Sequence, residues 1–315
     1  MIENQYNYSF IIPHKNIPEL LSRCIKSIPC RSDIQVIIID DNSDEQIVDF
    51  NCFPGIDMPN VEVIFLKETL GAGHARNIGL SKAKGKWILF ADADDFFNFN
   101  LLERLDFYCK ENNDIIFFKV NSMDSIYYTN SNRGMYVNNY IDLSKKNREK
   151  SVNLLRYKFG EPWAKMIKKE LIDKYSIKFD EIIVHNDTTF SLLVGHYAQN
   201  IAIDNHAIYC VTTRKNSISY AFTDSKLLVR IDVFSKVDCF YTEHRIPLSK
   251  IKRHFISSIH FLLYNKKLFR EGFSMMEKNG LSKTYIWMNL IFNIPLYIAY
   301  RNRNFIYKFL PLIER

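Results

Sequence analysis

Glycine and proline are scarce in this chain of 315 residues, at 10 and 9 respectively, which excludes collagen-like, low-complexity and linker-rich architectures. No period of roughly 20 to 50 residues recurs, so solenoids and propellers fall away too. The six cysteines, at 24, 30, 52, 109, 210 and 239, form no C-x-x-C pair and no His/Cys cluster at zinc-ligand spacing. Buried, reduced thiols are therefore expected. The N-terminal MIENQYNYSF lacks a basic stretch ahead of an apolar one, so no secretion signal is expected; with reduced thiols this points to the cytoplasm. No uncharged apolar run reaches the roughly 20 residues that span a bilayer.

What is present is ample core material. Hydrophobic residues make up 47% of the chain, enough for one large or two modest domains. The net charge of +7 is concentrated in the tail, because residues 251–315 carry 11 Lys/Arg against 3 Glu, together with 13 aromatic residues. The rest of the chain is nearly neutral. A basic, aromatic tail suits an anionic partner surface. Its charges are interleaved with long apolar helical patterns rather than set in a stripe, so nucleic acid is not the expected partner.

The first hundred residues alternate short apolar runs with helical periodicity, the pattern of a parallel sheet flanked by helices. Strands are expected at Tyr8–Ile12, Ile34–Ile39, Val61–Leu66 and Trp87–Ala91, with helices at Ile17–Ile28 and Ala72–Ala83. The almost unbroken IQVIII of the second strand implies cover on both faces. Between 101 and 225 the pattern is mixed. A helix is expected at Leu101–Cys109, strands at Ile115–Val120, Ile126–Tyr128 and Ile201–Val211, a polar loop over TNSNRGMYVNN, and helices at 147–158, 163–175 and 186–197. Soft boundaries near 100 and 225 divide the chain into 1–100, 101–225 and a mainly helical extension, 226–315. Within that extension Tyr285–Tyr300 has no charge, is interrupted by Asn289, Asn293 and Pro295, and is followed by Arg301, Arg303 and Lys308. It reads either as a core-facing helix pair with a basic exterior or as a monotopic segment in the headgroup zone of an anionic membrane.

The chemistry-bearing residues lie at strand ends, along the sheet edge where α/β proteins bind ligands. The second strand ends in Asp40-Asp41-Asn42-Ser43-Asp44, whose adjacent carboxylates repel unless a helix N-terminus, a ligand N–H or a cation offsets them. A helix cap accounts for one of these residues but not for the pair. The fourth strand ends in Asp92-Ala93-Asp94-Asp95, and alternation along an extended chain puts Asp92 and Asp94 on one side, in reach of a divalent ion held with substrate phosphates. Hard oxygen ligands select Mg²⁺ or Mn²⁺. Between them, Gly71-Ala72-Gly73-His74-Ala75-Arg76-Asn77-Ile78-Gly79 has an arginine where a dinucleotide fingerprint needs its third glycine, and it follows the third strand rather than the first. It therefore fits nucleotide contact better than redox chemistry.

Taken in order and spacing, these segments resemble the family 2 glycosyltransferases, inverting enzymes with a GT-A fold. The resemblance runs from Ser9-Phe10-Ile11-Ile12-Pro13 with Asn16, through the three motifs above, and more loosely through Trp163-Ala164-Lys165, Asn186-Asp187 and Arg214-Lys215-Asn216-Ser217-Ile218-Ser219. It implies a mostly parallel Rossmann-like sheet flanked by helices. It also implies roles. Pro13 and His14, with Asp40 or Asp41, would line the base of a UDP-sugar; Gly73, Arg76 and Asn77 would border the same pocket. Asp92 and Ala93 would lie by the ribose and metal, Asp94 would ligate Mn²⁺ or Mg²⁺, and Asp187 would be the general base. Asn186 stands where the family usually has Glu, and Lys15 where it usually has Tyr.

The physical requirements agree with those roles. Charge that builds on a departing diphosphate is offset by a cation, and an acceptor hydroxyl needs a carboxylate within reach to take its proton. Attack from the opposite face requires that carboxylate to come from a different segment, as Asp187 does. Asp180 and Glu181 are reserve bases. His185 and His196 assist proton transfer, bind metal, or are surface or packing histidines; Trp163 stacks on a sugar or belongs to the core, Arg214 and Lys215 clamp the diphosphate or are solvated, and Tyr127, Tyr128, Tyr136 and Tyr140 border an acceptor groove. The expected function is transfer of a sugar to a glycan or lipid-linked glycan acceptor in surface polysaccharide synthesis, by a cytoplasmic protein that is peripheral on the inner membrane face if the monotopic reading holds. Two alternatives are a nucleotidyltransferase, which usually carries a glycine-rich basic loop where Pro13-His14-Lys15-Asn16 stands, and a non-catalytic nucleotide- or glycan-binding subunit.

Overall fold

The computed structural model describes residues 6–214, 223–246 and 253–302, of which 253 and 299–302 are described by their backbone only. Two compact units emerge: residues 1–181 with 186–216, and residues 182–185 with 217–315.

The first unit is built on one eight-stranded sheet. Its strands are β1 (Tyr8–His14), β2 (Ile34–Asp40), β3 (Val61–Phe65), β4 (Trp87–Phe90), β5 (Phe96–Phe97), β6 (Ile115–Asp124), β7 (Lys165–Lys168) and β8 (Ile201–Thr213), in the order β3-β2-β1-β4-β7-β6-β8-β5. β1 to β4 are mutually parallel, as expected of strands joined by crossover helices. Beyond β4 the sheet is mixed, because β7 runs antiparallel to both β4 and β6. Every residue of β2 is buried, which is why its sequence is apolar on both alternations. The crossover helix α1 (Pro18–Lys26) starts on a proline and buries Leu21, Cys24 and Ile25 against the sheet. The other crossover helix is α2 (Gly71–Lys82).

Several expected elements differ. Residues 126–128 form a turn rather than a strand, and β6 instead runs on to Asp124, zipped parallel to β8 through a register shift at Phe118–Val120. The polar stretch after it contains a helix, α4 (Met135–Leu143), following α3 (Leu101–Cys109). Asn138 makes this possible by bonding both the N–H and the C=O of Val120, at 3.0 and 2.9 Å, so its polarity is spent on the sheet. α5 (Arg148–Lys158) follows, and the helix expected over 163–175 splits into β7 and the short α6 (Lys169–Lys174). α7 (Thr188–Tyr197) closes the set. Among the cysteines, Cys24 and Cys210 are buried and all six are free, but Cys30 and Cys52 are exposed, which corrects the expectation of uniformly buried thiols.

The second unit contains α8 (Asp224–Glu243), α9 (Arg253–Tyr264), α10 (Lys266–Lys278) and α11 (Lys283–Asn302). Its core gathers Ile231, Phe255, Ile259, Phe261, Met276, Ile286 and Leu290. α11 is continuous through Pro295. The amides of Asn289 and Asn293 donate back to Tyr285 and Asn289 carbonyls one turn earlier, at 2.9 and 2.8 Å, so the residues expected to interrupt the helix are absorbed into it.

Candidate active site

The carboxyl ends of β1 and β2 lie in register, with His14 opposite Asp40. His14 Nδ1 donates to Asp40 Oδ1 at 2.7 Å while Nε2 accepts the Ile17 N–H at 3.2 Å, which fixes the tautomer. Asp40 also accepts from the backbone and hydroxyl of Ser43, at 2.9 and 2.6 Å. Burial alone would raise its carboxyl, but these donors outweigh burial and hold it below the usual carboxylate range. Asn16 ties the two loops together, donating its N–H to Ser43 Oγ and accepting the Asp44 N–H on Oδ1, both at 2.8 Å. Asn16 and Asn42 both adopt the left-handed conformation that asparagine tolerates best among non-glycine residues. His14 and Asp40 are thus enclosed, and they brace the wall on which the half-buried Pro13 stands.

Asp41 turns the other way. Its carboxylate accepts from the N–H groups of Leu70, at 2.8 Å, and Gly71, at 3.0 Å, and so caps α2, which has no side-chain cap of its own. The two adjacent carboxylates are reconciled by different partners: a histidine and a serine for Asp40, a helix N-terminus for Asp41.

α2 then crosses the site. A Cβ added at Gly73 would lie 2.1 Å from the Asp180 carbonyl oxygen, so only glycine lets the helix approach the 179–181 segment. Asn77 makes the same approach specific by bonding the N–H and C=O of Phe179, at 2.9 and 3.0 Å. Gly73→Ala is expected to cost about 1–3 kcal/mol, as overpacking against backbone does. An unshifted urea midpoint for that variant would show that the segment yields freely.

Arg76 is the hub. Its buried guanidinium donates to Asp92 Oδ1 at 2.7 Å and to Asn186 Oδ1 at 2.9 Å. Asp92 opens a tight turn closed by the Asp95 N–H on its carbonyl at 3.0 Å, with the buried Ala93 inside it. The turn, not an extended strand, gathers the acidic side chains: oxygens of Asp92, Asp94 and Asp95 all lie within 4.8 Å of one another. Arg214 Nε donates to Asp94 Oδ2 at 2.8 Å, while Lys215 to Ser219 lie outside the described residues. Asp95 was not singled out from sequence, and it is the innermost of the three. It accepts from Tyr209 Oη at 2.9 Å and the Thr212 N–H at 2.6 Å, and Tyr209 Oη in turn accepts the Asp92 N–H at 2.9 Å. Burial, reinforced by the Asp94 and Asp92 charges, pushes its carboxyl well above the usual range, with Arg133 pulling the other way. Carboxyl oxygens gathered this closely form a hard donor set that suits a small divalent cation. Asp92 and Asp94 keep partly exposed side chains, whereas Asp95 is spent on the fold.

Asp187 stands at the N-cap of α7, yet its side chain accepts no capping bond. Desolvation pushes its carboxyl up to about 6, with Glu161 and Asp92 adding to the rise and Arg76 opposing it. The reserve base Glu181 is occupied on α2, accepting from Asn77 Nδ2 and pairing with His74 Nδ1, both at 3.0 Å. His196 lies at the far end of α7, beside Tyr157. Trp163 is buried and stacks on Tyr209 with ring centroids 5.9 Å apart, so it supports the acidic turn from within the core. Lys165, next but one, is a buried amine that donates to the Phe159 carbonyl at 2.7 Å; burial lowers it to about 7 against the opposing Glu161 and Asp187 charges. No charge pattern flags it in sequence. Tyr127 and Tyr128 are exposed, and Tyr136 packs edge-on against Tyr140.

Residues 9–176, just over half the chain, match the family described as glycosyl transferase family 2. The chain belongs to this family. It is a glycosyltransferase with the GT-A architecture. The family 2 chain is 23% identical to the glycosyltransferase GlyA of Streptococcus pneumoniae over 87% of its own length and 39% of that protein's. It is 25% identical to GlyG of the same species over 94% and 97% of the respective chains. Identity reaches 33% with TarP of Staphylococcus aureus, a poly(ribitol-phosphate) β-N-acetylglucosaminyltransferase, over 53% of this chain and 47% of TarP. Among solved structures, residues 1–349 of S. aureus TarS in complex with UDP-GlcNAc superpose with a TM-score of 0.65 at 17% identity, covering 94% of this chain and 91% of TarS 1–349.

Proposed function

We propose that this family 2 enzyme transfers a sugar, with inversion, from a UDP-sugar to a hydroxyl of a glycan or lipid-linked glycan in surface polysaccharide synthesis. The observation that carries the proposal is Arg76, whose one guanidinium holds Asp92 of the acidic turn and Asn186, the neighbour of Asp187. Leaving-group side and proton-accepting side are thereby joined through a single rigid group. The UDP-GlcNAc complex of TarS and the poly(ribitol-phosphate) acceptor of TarP support the donor and acceptor classes.

In this reading residues 1–100 hold the donor, 101–225 the acceptor, and 226–315 form an extension. Pro13 and Asp41 border the base, with His14 and Asp40 bracing them; Gly73, Arg76 and Asn77 shape the adjoining wall. Asp92 and Ala93 lie beside the ribose, and Asp94 with Asp92 would hold Mn²⁺ or Mg²⁺, which when bound neutralises charge on the diphosphate. Arg214 adds a guanidinium to the same side. Asp187 accepts the proton of the acceptor hydroxyl while that oxygen bonds to the anomeric carbon and the bond to the diphosphate breaks. A carboxylate shifted to about 6 is still mostly ionised at neutral pH and is a stronger base than an ordinary aspartate.

UDP release measured across UDP-, GDP- and dTDP-sugars with Mn²⁺ or Mg²⁺ tests the proposal. Turnover with a UDP-sugar is expected, raised by a glycan acceptor. Pyrophosphate release from a nucleoside triphosphate and sugar phosphate would replace it with nucleotidyl transfer.

A further inference from the structure

Helices of a water-soluble unit normally turn their apolar stripe inward and a charged face outward. α11 does the first and not the second. Ile286, Leu290 and Tyr297 are buried, while Trp287, Met288, Ile291, Phe292, Ile294 and Ile298 are exposed, Ile291 by 65% and Phe292 by 61%. From Tyr285 to Ile298 the helix carries no charge at all. Contiguous exposed apolar surface of this kind marks an interaction site.

The neighbouring charges say which. Phe269 and Phe273 of α10 pack on Trp287 with centroids 6.1 and 5.7 Å apart, which brings α10 alongside the apolar face. That helix exposes Lys266, Lys267, Arg270 and Lys278. Across residues 251–315 the 11 basic residues meet only 3 acidic ones. No helix among the described residues is long and apolar enough to cross a membrane. We propose that the outward face of α11 docks on an anionic lipid bilayer, lying in the headgroup zone with its apolar side chains inserted and the basic residues of α10 against the lipid phosphates. This surface is independent of the donor and acceptor assigned above.

The chain carries its own probe. Of its three tryptophans, Trp87 and Trp163 are buried and Trp287 is 45% exposed. Full-length protein is mixed with vesicles of phosphatidylcholine alone, or of phosphatidylcholine with phosphatidylglycerol, then floated. Recovery with the anionic vesicles, weakened by salt, and a blue shift of tryptophan emission are expected. The double variant Ile291→Glu/Phe292→Glu should lose at least about ten-fold in partitioning, since each apolar side chain withdrawn from lipid is worth roughly an order of magnitude. Its UDP release with a soluble acceptor should be unchanged, which distinguishes lost docking from lost folding. Equal flotation of variant and wild type would overturn the proposal. So would emission already blue and unmoved by vesicles, which would assign the face to the chain's own residues 303–315. A mass by light scattering that the variant halves, without vesicle binding, would assign it to a second copy.

Discussion

Asp187→Asn is expected to lower kcat by about 10²–10⁴-fold, the range a positioned general base supplies, while UDP-sugar affinity stays within a few-fold of wild type. The surroundings of this carboxylate suit it to that role. Asp187 sits at a helix start without spending its carboxylate on a cap, and desolvation brings it to about 6. The wild-type rate should therefore rise with pH through a limb centred near 6, and the residual rate of the variant should lack that limb. Stability should move the opposite way. Because the folded carboxyl titrates above its unfolded value, its favourable contribution is complete below about pH 4 and is lost as pH rises through 6. The asparagine variant carries no such penalty at neutral pH, so it should melt at the same temperature or a few degrees higher. A variant that transfers sugar at the wild-type rate would remove Asp187 from the mechanism.

Asp94→Asn should be comparably damaging for a different reason. The side chain is only partly buried, and its ion pair to Arg214 is itself partly exposed, so little stability depends on that pair. What it offers is a charged oxygen beside those of Asp92 and Asp95. Loss of about 10² or more in kcat/KM is expected, together with a flattened response to added Mn²⁺, since charge neutralisation at a departing diphosphate is worth several kcal/mol. Asp95→Ala provides the contrast. Both of its oxygens are bonded within the protein, so its removal should appear first as a lowered melting temperature. If Asp94→Asn kept the wild-type Mn²⁺ dependence, the acidic turn would not be the cation site.

Much of this was legible in the amino-acid sequence because strand ends announce themselves. The buried IQVIII run and the Asp-rich stretches after it and after WILF locate one edge of a sheet, and the glycines of α2 mark where backbone must approach backbone. Less legible was the direction in which each carboxylate turns. Asp40 and Asp41 are neighbours, yet one faces a histidine inside and the other caps a helix 30 residues away, a division set by the register of β1 on β2. The alternation argument brought Asp92 and Asp94 together for the wrong geometric reason, since the chain is a turn there, and that turn is also what adds Asp95. Lys165 stands in the Trp163-Ala164-Lys165 segment without a role legible there, and Tyr209 only inside a strand, because what both do depends on burial contributed by distant elements, which periodicity does not encode. The helix at 135–143 is likewise a tertiary choice, where a single asparagine bonding to a strand edge outweighs local propensity, and 163–175 divides where β7 pairs with β4 and β6.

In the proposed mechanism a nucleoside diphosphate and a divalent cation occupy the acidic turn, with Asp187 facing the sugar from the far side. A crystal of the enzyme soaked with UDP and Mn²⁺, examined at the manganese absorption edge, tests it most directly. The expected result is one anomalous peak bonded to an Asp94 oxygen and to the diphosphate, with the uracil beside Pro13 and Asp41. A peak at another group of residues, or UDP bound away from Asp92, Arg76 and Asp187, would contradict the account.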